Sequence, residues 1–424
     1  MLEIQLIRAN PTFVIEGLKR KYFENADNII EQILQVDKEK RETQVEADKT
    51  LSEANNLSKQ IGKLIKEGKK EEANQIKAKS GELKQKAKAL TEQLQEKEKE
   101  INELLLQVPN LPHKDVPQGK TAEDNVVFFQ SEEKTQISDK ALPHWELITK
   151  YDIIDFELGN KVTGAGFPFY IGKGARLQRA LVNFFLDEAT KAGYKEIQPP
   201  IIVNEASALA TGQLPDKEGQ MYKLENHDYY LIPTAEVPLT NIYRNEILKK
   251  EILPLKLTGF TPCFRREAGS WGADVRGLNR LHQFDKVEIV QITLPEMSYE
   301  VHQEMKNHIE SLIQKLELPY RILNLCGGDI SFNAALCYDF EVYSAAQKKW
   351  LEVSSVSNFE TFQANRSKLR YRNEQNKPVL AHTLNGSALA LPRIMAAIIE
   401  NNQTKDGIKI PEVLQSYCGF DTID

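Results

Sequence analysis

"FRREAGSWGADVRGLNRLHQFDKVE", residues 264–288, gathers Arg265, Arg266, Arg276 and Arg280, with Glu267 beside the first two, in a chain whose formal net charge is −6. The flanking stretches "LPLKLTGFTPCFRRE" (253–267) and "LHQFDKVEIVQIT" (281–293) are rich in β-branched and aromatic residues and read as strands. Gly269, Gly272 and Gly277 mark the loop between them. The reading predicts strands near 255–267 and 281–292. Alternate residues of a strand share a face. Arg265 and Glu267 are therefore expected to point the same way, and His282, Phe284, Lys286 and Glu288 to share a face on the return strand. Cations, carboxylates and an aromatic ring on one sheet surface suit a polar binding site better than a core. Arginine forks onto phosphate oxygens and never loses its charge, and Phe284 offers a flat surface for a base. A triphosphate nucleotide is the economical ligand. The competing reading is a solvated hairpin whose arginines pair with nearby acids, contacts worth little at a surface.

Working outward, the remaining sequence shows no P-loop pattern G-x-x-x-x-G-K-[ST]. "TGAGFPFYIGKG" (163–174) is glycine-rich but lacks G-x-G-x-x-G, and reads as a loop ahead of a helix. Around the arginine stretch, strands and helices alternate. "ARLQRALVNFFLDEATKAG" reads as a helix and "YKEIQPPIIVN" as a strand; "HDYYLIPTAEVPLTNIYR" reads as a strand and then a helix. "PEMSYEVHQEMKNHIESLIQKLEL" is helical, "DFEVYSAAQKKWLEVSSVSNF" supplies further strands, and "PRIMAAIIENNQ" closes with a helix. The strands outnumber those of a regular βαβ repeat, so a large antiparallel sheet flanked by helices is expected. His282, a lone histidine among charges, is expected to be a hydrogen-bonding scaffold.

The first quarter of the chain is different. No proline lies between Pro11 and Pro109, and no Phe, Tyr or Trp between Glu24 and Val127. Good helix formers dominate. Apolar residues follow a 4-3 rhythm: Ala47, Leu51, Ala54, Ile61 and Ile65, then Leu83, Ala87, Leu90, Leu94, Ile101 and Leu104. Such spacing predicts a coiled coil. It breaks at "KEGKKEEAN" (66–74), where Gly68 suits a turn between antiparallel helices. The alternative is a disordered charged tract. Residues 59–88 hold ten lysines against four glutamates, an excess of +6, so the rest of the chain carries −12. A polyanion such as RNA and a merely solvated helix face both fit that excess. "VPNLPHKDVPQG" (108–119), with three prolines, reads as a linker. The expected organisation is a helical arm over 1–110, a linker over 111–125 and a second domain over 126–424.

Composition is that of a soluble globular protein, with 41 % hydrophobic and 27 % charged residues. The N-terminus "MLEIQLIRANPTF" offers no uninterrupted apolar stretch of a secretory signal. Nothing reaches the ~18 apolar residues of a membrane span. The cysteines Cys263, Cys326, Cys337 and Cys418 form no C-x-x-C pair, which argues against a zinc ribbon or redox motif. A reduced, cytoplasmic setting and no membrane partner are expected.

The arginine stretch resembles motif 2 of class II aminoacyl-tRNA synthetases, in the bacterial form found in the seryl-tRNA synthetase family. "MLEIQLIRANPTFVIEGLKRK" resembles the start of that family, and the helical hairpin its tRNA-binding arm. "GYKEIQPPIIVN" resembles motif 1, with Pro200 at the family's dimer interface. "ATGQLP" (210–215), "PTAEVPLTN" (233–241), "LEVSSVSNFETFQANR" (351–366) and "LNGSALALPRI" (384–394, motif 3) are similar to family signatures. The resemblance spans essentially the whole chain. It implies an α+β fold, a long antiparallel helical hairpin plus a class II catalytic domain on an antiparallel sheet. It implies ATP-dependent activation of L-serine to seryl-adenylate and transfer to the 3′ end of tRNA(Ser), with tRNA(Sec) as a further acceptor, Mg²⁺ as cofactor and a homodimer.

Residue by residue, the resemblance assigns Arg265, Glu267 and Arg393 to catalysis. It assigns Arg265, Arg266, Glu267, Arg280, Phe284, Glu352, Val353, Ser354, Ser355 and Arg393 to ATP. Within that set Arg265 takes the α-phosphate, Arg280 lies near the γ-phosphate, and Phe284 stacks on adenine. Thr234, Ala235, Glu236, Arg265, Glu288 and Ser387 fall to serine. Glu352 and Ser355 fall to the metal, and Lys63, Lys66, Lys69 and Lys70 to tRNA. Two family glycines of motif 3 are here Ala388 and Pro392; proline is tolerated in a first helical turn, and the extra methyl of Ala388 is expected to be tolerated too. Trp271 is expected in a loop that moves over the tRNA acceptor end. Two other classes stay open: a coiled-coil RNA-binding protein with an inactive synthetase-like domain, and a serine-activating ligase that loads another acceptor. Intact Arg265, Glu267 and Arg393 speak against the first, the basic arm against the second.

Overall fold

A computed structural model describes residues 1–131, 141–267 and 276–424. The chain divides into two compact units. One comprises residues 2–19 and 23–109; the other comprises Met1, residues 20–22 and residues 110–424.

The first unit holds α1 (Ile4–Ala9), α2 (Pro11–Arg20), and the long antiparallel pair α3 (Ala26–Lys66) and α4 (Lys70–Leu106). At ~1.5 Å per residue the two long helices run roughly 55–60 Å. Gly68 adopts φ +79° in the turn between them, a conformation that costs glycine nothing. Buried positions on α4 step Ala73, Ser80, Ala87, Leu90, Ile101, with Leu83 and Leu94 half-buried between them, as the heptad reading predicts. On α3 that reading holds at Ala47 and Ala54, with Ile61 half-buried, and misses by one residue at Leu51 and Ile65. The seam runs Ala47, Thr50, Ala54, while Leu51 is 50 % and Ile65 59 % exposed. A polar residue takes the seam position at Thr50, and again at half-buried Ser58, so apolar identity alone pointed one residue too far. Ser58 and Ser80 meet across the seam, their hydroxyls 3.2 Å apart.

The second unit is built on an eight-stranded sheet. Its strands are β1 (Val126–Gln130), β2 (Lys195–Glu196), β3 (Leu255–Phe264), β4 (Gln283–Thr293), β5 (Tyr320–Asn324), β6 (Leu336–Ser344), β7 (Lys349–Glu360) and β8 (His382–Ala390). They lie in the order β1-β5-β6-β7-β8-β4-β3-β2, and every neighbouring pair is antiparallel except β2–β3. The helices that position the site are α5 (His144–Lys150), α6 (Gly172–Lys191), α7 (Glu236–Asn241), α8 (Ser298–Lys315), α9 (Phe362–Ser367) and α10 (Leu391–Asn401). One continuous apolar core joins α6 (Leu177, Phe185), α8 (Met305, Ile309) and α10 (Ile394, Ile398) to Ile289 and Phe340 of the sheet. Pro392 sits in the first turn of α10, where its missing N–H costs nothing.

Two boundaries differ from the sequence reading. "YKEIQPPIIVN" is not one strand. Lys195–Glu196 pairs with β3 and Ile202–Asn204 with another short strand, and Pro199 and Pro200, which cannot donate to a ladder, separate them. The strand expected over 255–267 ends at Phe264, and Glu267 beyond it takes φ +48°.

Candidate active site

The sheet centre carries the site. β4 begins exposed and becomes buried from Lys286 onward. It therefore presents Phe284 at the rim and Lys286 and Glu288 further in. Glu288 is fully buried. Thr234 Oγ1 donates to Glu288 Oε2 at 2.9 Å, Asn385 Nδ2 to Oε1 at 2.9 Å, and the Lys286 ammonium forms an ion pair with it. Ser387 on β8 stands directly across from Glu288, so the two side chains share a face. Ala235, fully buried, ends the turn into α7.

Glu236, at the start of α7, is the second buried carboxyl. Burial, and next the charge of Glu288, push it up to about 7. Gln363 Nε2 donates to its Oε1 at 2.6 Å, and Thr383 Oγ1 holds the Gln363 amide oxygen at 2.8 Å. Glu288 carries two neutral donors and a counter-charge, while Glu236 is poised to change protonation near neutrality.

At the rim the arginines separate differently from the shared-face expectation. Arg265 N–H still bonds the His282 carbonyl at 3.0 Å, one step beyond β3. Its guanidinium lies over the Phe284 ring, 5.2 Å from the centroid, and its Nε donates to the Pro233 carbonyl at 3.4 Å. Glu267, turned away by its left-handed backbone, instead pairs with Arg280 at 2.9 Å. Arg266 is exposed, its backbone N–H bonded to the Gln220 carbonyl at 3.0 Å. His282 behaves as a scaffold, with Nδ1 2.7 Å from the Tyr222 hydroxyl and its ring stacked on Phe167. Gly269, Gly272 and Trp271 lie outside the described residues.

β7 supplies the second rim. In a regular strand Glu352 and Ser355 would face opposite ways. A bulge intervenes: Glu352 pairs with Glu341 and Ser354 with Phe340, leaving Val353 as the extra residue. The bulge brings Glu352 and Ser355 onto one face, where Ser355 Oγ donates to Glu352 Oε1 at 3.4 Å. Val353 and Ser354 turn inward. Val353 joins the core, and Ser354 Oγ donates to the Ser387 carbonyl at 2.7 Å. Arg393 Nη1 donates to the Glu352 carbonyl at 2.7 Å and lies 3.5 Å from its carboxylate. Directly across from Ser355 stands Asp339, which the sequence reading missed. Burial, and next the charge of Glu352, push its carboxyl well above the usual range. Two carboxyls and a hydroxyl on one face make an all-oxygen donor set, the chemistry that suits Mg²⁺.

Lys286 stood in the predicted strand face without a role. Asn385, Gln363 and Asp339 carried no signal of their own, being single polar residues inside strands or a short helix. Lys63, Lys66, Lys69 and Lys70 are exposed at the tip of the α3–α4 hairpin, with Lys69 3.3 Å from Glu67.

Comparison with known proteins gives a consistent result. A family model described as "Seryl-tRNA synthetase N-terminal domain" matches residues 1–112, and one for the "tRNA synthetase class II core domain (G, H, P, S and T)" matches residues 221–402. The serine–tRNA ligase of Salinibacter ruber is 51 % identical over 99 % of this chain and 98 % of its own, and that of Clostridium tetani 45 % over 99 % of each. Among solved structures, seryl-tRNA synthetase from Pyrococcus horikoshii complexed with ATP superposes with a TM-score of 0.92. It is 36 % identical and covers 100 % of this chain and 99 % of that one.

Proposed function

The chain belongs to the seryl-tRNA synthetase family of class II ligases, and from that premise we propose how its residues divide the work of activating L-serine with ATP and passing it to tRNA(Ser). The serine carboxylate attacks the α-phosphorus of ATP, forming seryl-adenylate and releasing pyrophosphate. A hydroxyl at the 3′ end of the tRNA then takes the seryl group and AMP leaves. No protein nucleophile is needed, so catalysis is positioning plus stabilisation of charge.

Thr234, Ala235, Glu236, Glu288 and Ser387 bind serine, with Arg265 reaching between its carboxylate and the α-phosphate. Glu236 meets the ammonium group, because Glu288 is already neutralised by Lys286. Phe284 gives adenine a flat face. Arg266, Arg280 and Arg393 surround the phosphates, Glu267 orients Arg280, and the backbone of Val353 and Ser354 lines the nucleotide. Glu352 and Ser355, with Asp339 behind them, would hold Mg²⁺, which when bound supplies positive charge to the phosphates. The exposed tip lysines Lys63, Lys66, Lys69 and Lys70 grip the tRNA backbone, and tRNA(Sec) is a further acceptor. The chain acts as a homodimer through the region around Pro200, in the cytoplasm. No helix among the described residues is long and apolar enough to cross a membrane.

The observation that carries this reading is the pair of buried carboxyls, Glu288 and Glu236, placed beside a rim of arginines, Phe284 and the Glu352–Ser355 face. Serine-dependent ATP–pyrophosphate exchange, followed by charging of bulk tRNA with labelled serine, tests it. Exchange without tRNA charging would favour a ligase that loads another acceptor.

A further inference from the structure

The segment Arg276–Arg280, which leads into β4, is fastened at every residue. The Arg276 guanidinium lies over the Trp145 ring, 5.2 Å from its centroid. Gly277 takes φ +63°, and a Cβ there would stand 2.3 Å from His144 Nε2. Leu278 is buried, and its N–H donates to His144 Nε2 at 2.8 Å. Asn279 Nδ2 donates to Gln347 Oε1 at 3.1 Å, while its carbonyl accepts from Arg393 Nε at 3.2 Å. Arg280 pairs with Glu267.

Behind the segment, His144 of α5 and Glu400 of α10 are both fully buried. Glu400 Oε1 accepts from the backbone N–H of His144 at 2.8 Å, from its ring Nδ1 at 2.7 Å and from Gln347 Nε2 at 2.9 Å; Oε2 accepts from Ser344 Oγ. A carboxylate on Nδ1 requires the proton there, which leaves Nε2 as an acceptor. The Leu278 amide supplies the donor. One neutral tautomer therefore satisfies both ring nitrogens, and the buried Glu400 carboxylate is held ionised by the donors around it.

We propose that His144, oriented by Glu400, is a positioning residue for ATP: it holds the Leu278 amide and, through the Asn279 carbonyl, sets the Arg393 guanidinium. The inference rests on the reading of Arg393 as an ATP ligand. His144 itself touches no substrate. The alternative is a buried imidazole that merely satisfies neighbouring polar groups.

Three variants of the full chain separate the two. His144→Gln carries a carbonyl oxygen to the place of Nε2 but loses the link to Glu400. His144→Asn keeps a donor for Glu400 but does not reach Leu278. His144→Phe keeps the ring and neither bond. In ATP–pyrophosphate exchange, Phe and Asn are expected to raise the KM for ATP about tenfold, the cost of one positioned hydrogen bond. The KM for serine should stay within about twofold and Gln should restore most of the ATP KM, while a purely structural role shifts thermal midpoints without this order. Gln no better than Phe at equal midpoints, or Phe with the wild-type KM, would overturn the proposal. Gly277→Ala covers the case in which Phe fails to fold. It pushes the segment off Nε2 while leaving His144 on Glu400, and an unchanged ATP KM there also overturns it. Arg393→Ala is the control. If it leaves exchange intact, the site reading fails. If it abolishes ATP use while the His144 and Gly277 variants behave as wild type, only the positioning role fails.

Discussion

Serine affinity should depend on pH through Glu236. The carboxyl is held up at about 7, first by burial and next by the charge of Glu288. If the ionised form meets the serine ammonium, the fraction ready to bind is about one-tenth at pH 6 and about nine-tenths at pH 8, roughly a tenfold difference. The KM for serine, measured by pyrophosphate exchange at saturating ATP and Mg²⁺, should therefore fall about tenfold between those values. Glu236→Gln should bind serine more weakly and lose the profile, and it serves as the control for titration of serine and ATP themselves. A wild-type KM that changes less than twofold, or a profile that survives in Glu236→Gln, would refute the assignment. The same shift has a stability consequence of defined sign. The folded value lies above the unfolded one, so as pH rises the unfolded chain releases its proton first. The ionised carboxyl then costs on the order of 3 kcal/mol above about pH 7 and nothing below about pH 4.5. Glu236→Gln should accordingly stabilise the protein at pH 8 and not at pH 4.5.

Arg265→Ala should leave the fold intact and slow exchange by about 10²–10³, the usual effect of losing one charge-stabilising donor; near-wild-type exchange would remove Arg265 from the site. Lys286→Met strips Glu288 of its buried counter-charge and should cost about 3–5 kcal/mol, seen as a lowered thermal midpoint. Replacing the hairpin by a short Gly/Ser linker should spare exchange and abolish efficient tRNA charging. Charge reversal at Lys63, Lys66, Lys69 and Lys70 should weaken tRNA binding and flatten its salt dependence, which otherwise follows about −0.9 per neutralised phosphate.

The arm and the antiparallel sheet were legible because each repeats a period over many residues. The α4 seam keeps strict 3-4 spacing from Ala73 to Ile101, and β3 and β4 are long β-branched runs. Phase was harder to read, because Thr50 holds a seam position that apolar counting gave to Leu51. At the site, residue types were legible and directions were not. Strand parity joined Arg265 to Glu267, yet one left-handed residue sends Glu267 to Arg280. The resemblance joined Glu352 to Ser355, which regular strand parity would set on opposite faces, and one bulge brings them onto the same one. Asp339, Gln363 and His144 meet Ser355, Glu236 and Glu400, partners 16 to 256 positions away, a relation no local pattern records.

The turn at Gly68 makes the protein divisible at one place. It is exposed, a side chain added there would meet nothing within 4 Å, and lysines flank it at 66, 69 and 70. On either side runs one complete helix, each burying its own seam against the other. A protease cut at the tip therefore removes no packing. It leaves two polypeptides, one ending with α3 and the other beginning with α4, that stay zipped along the whole arm. The enzyme could equally be made from two genes, its halves finding each other through that seam.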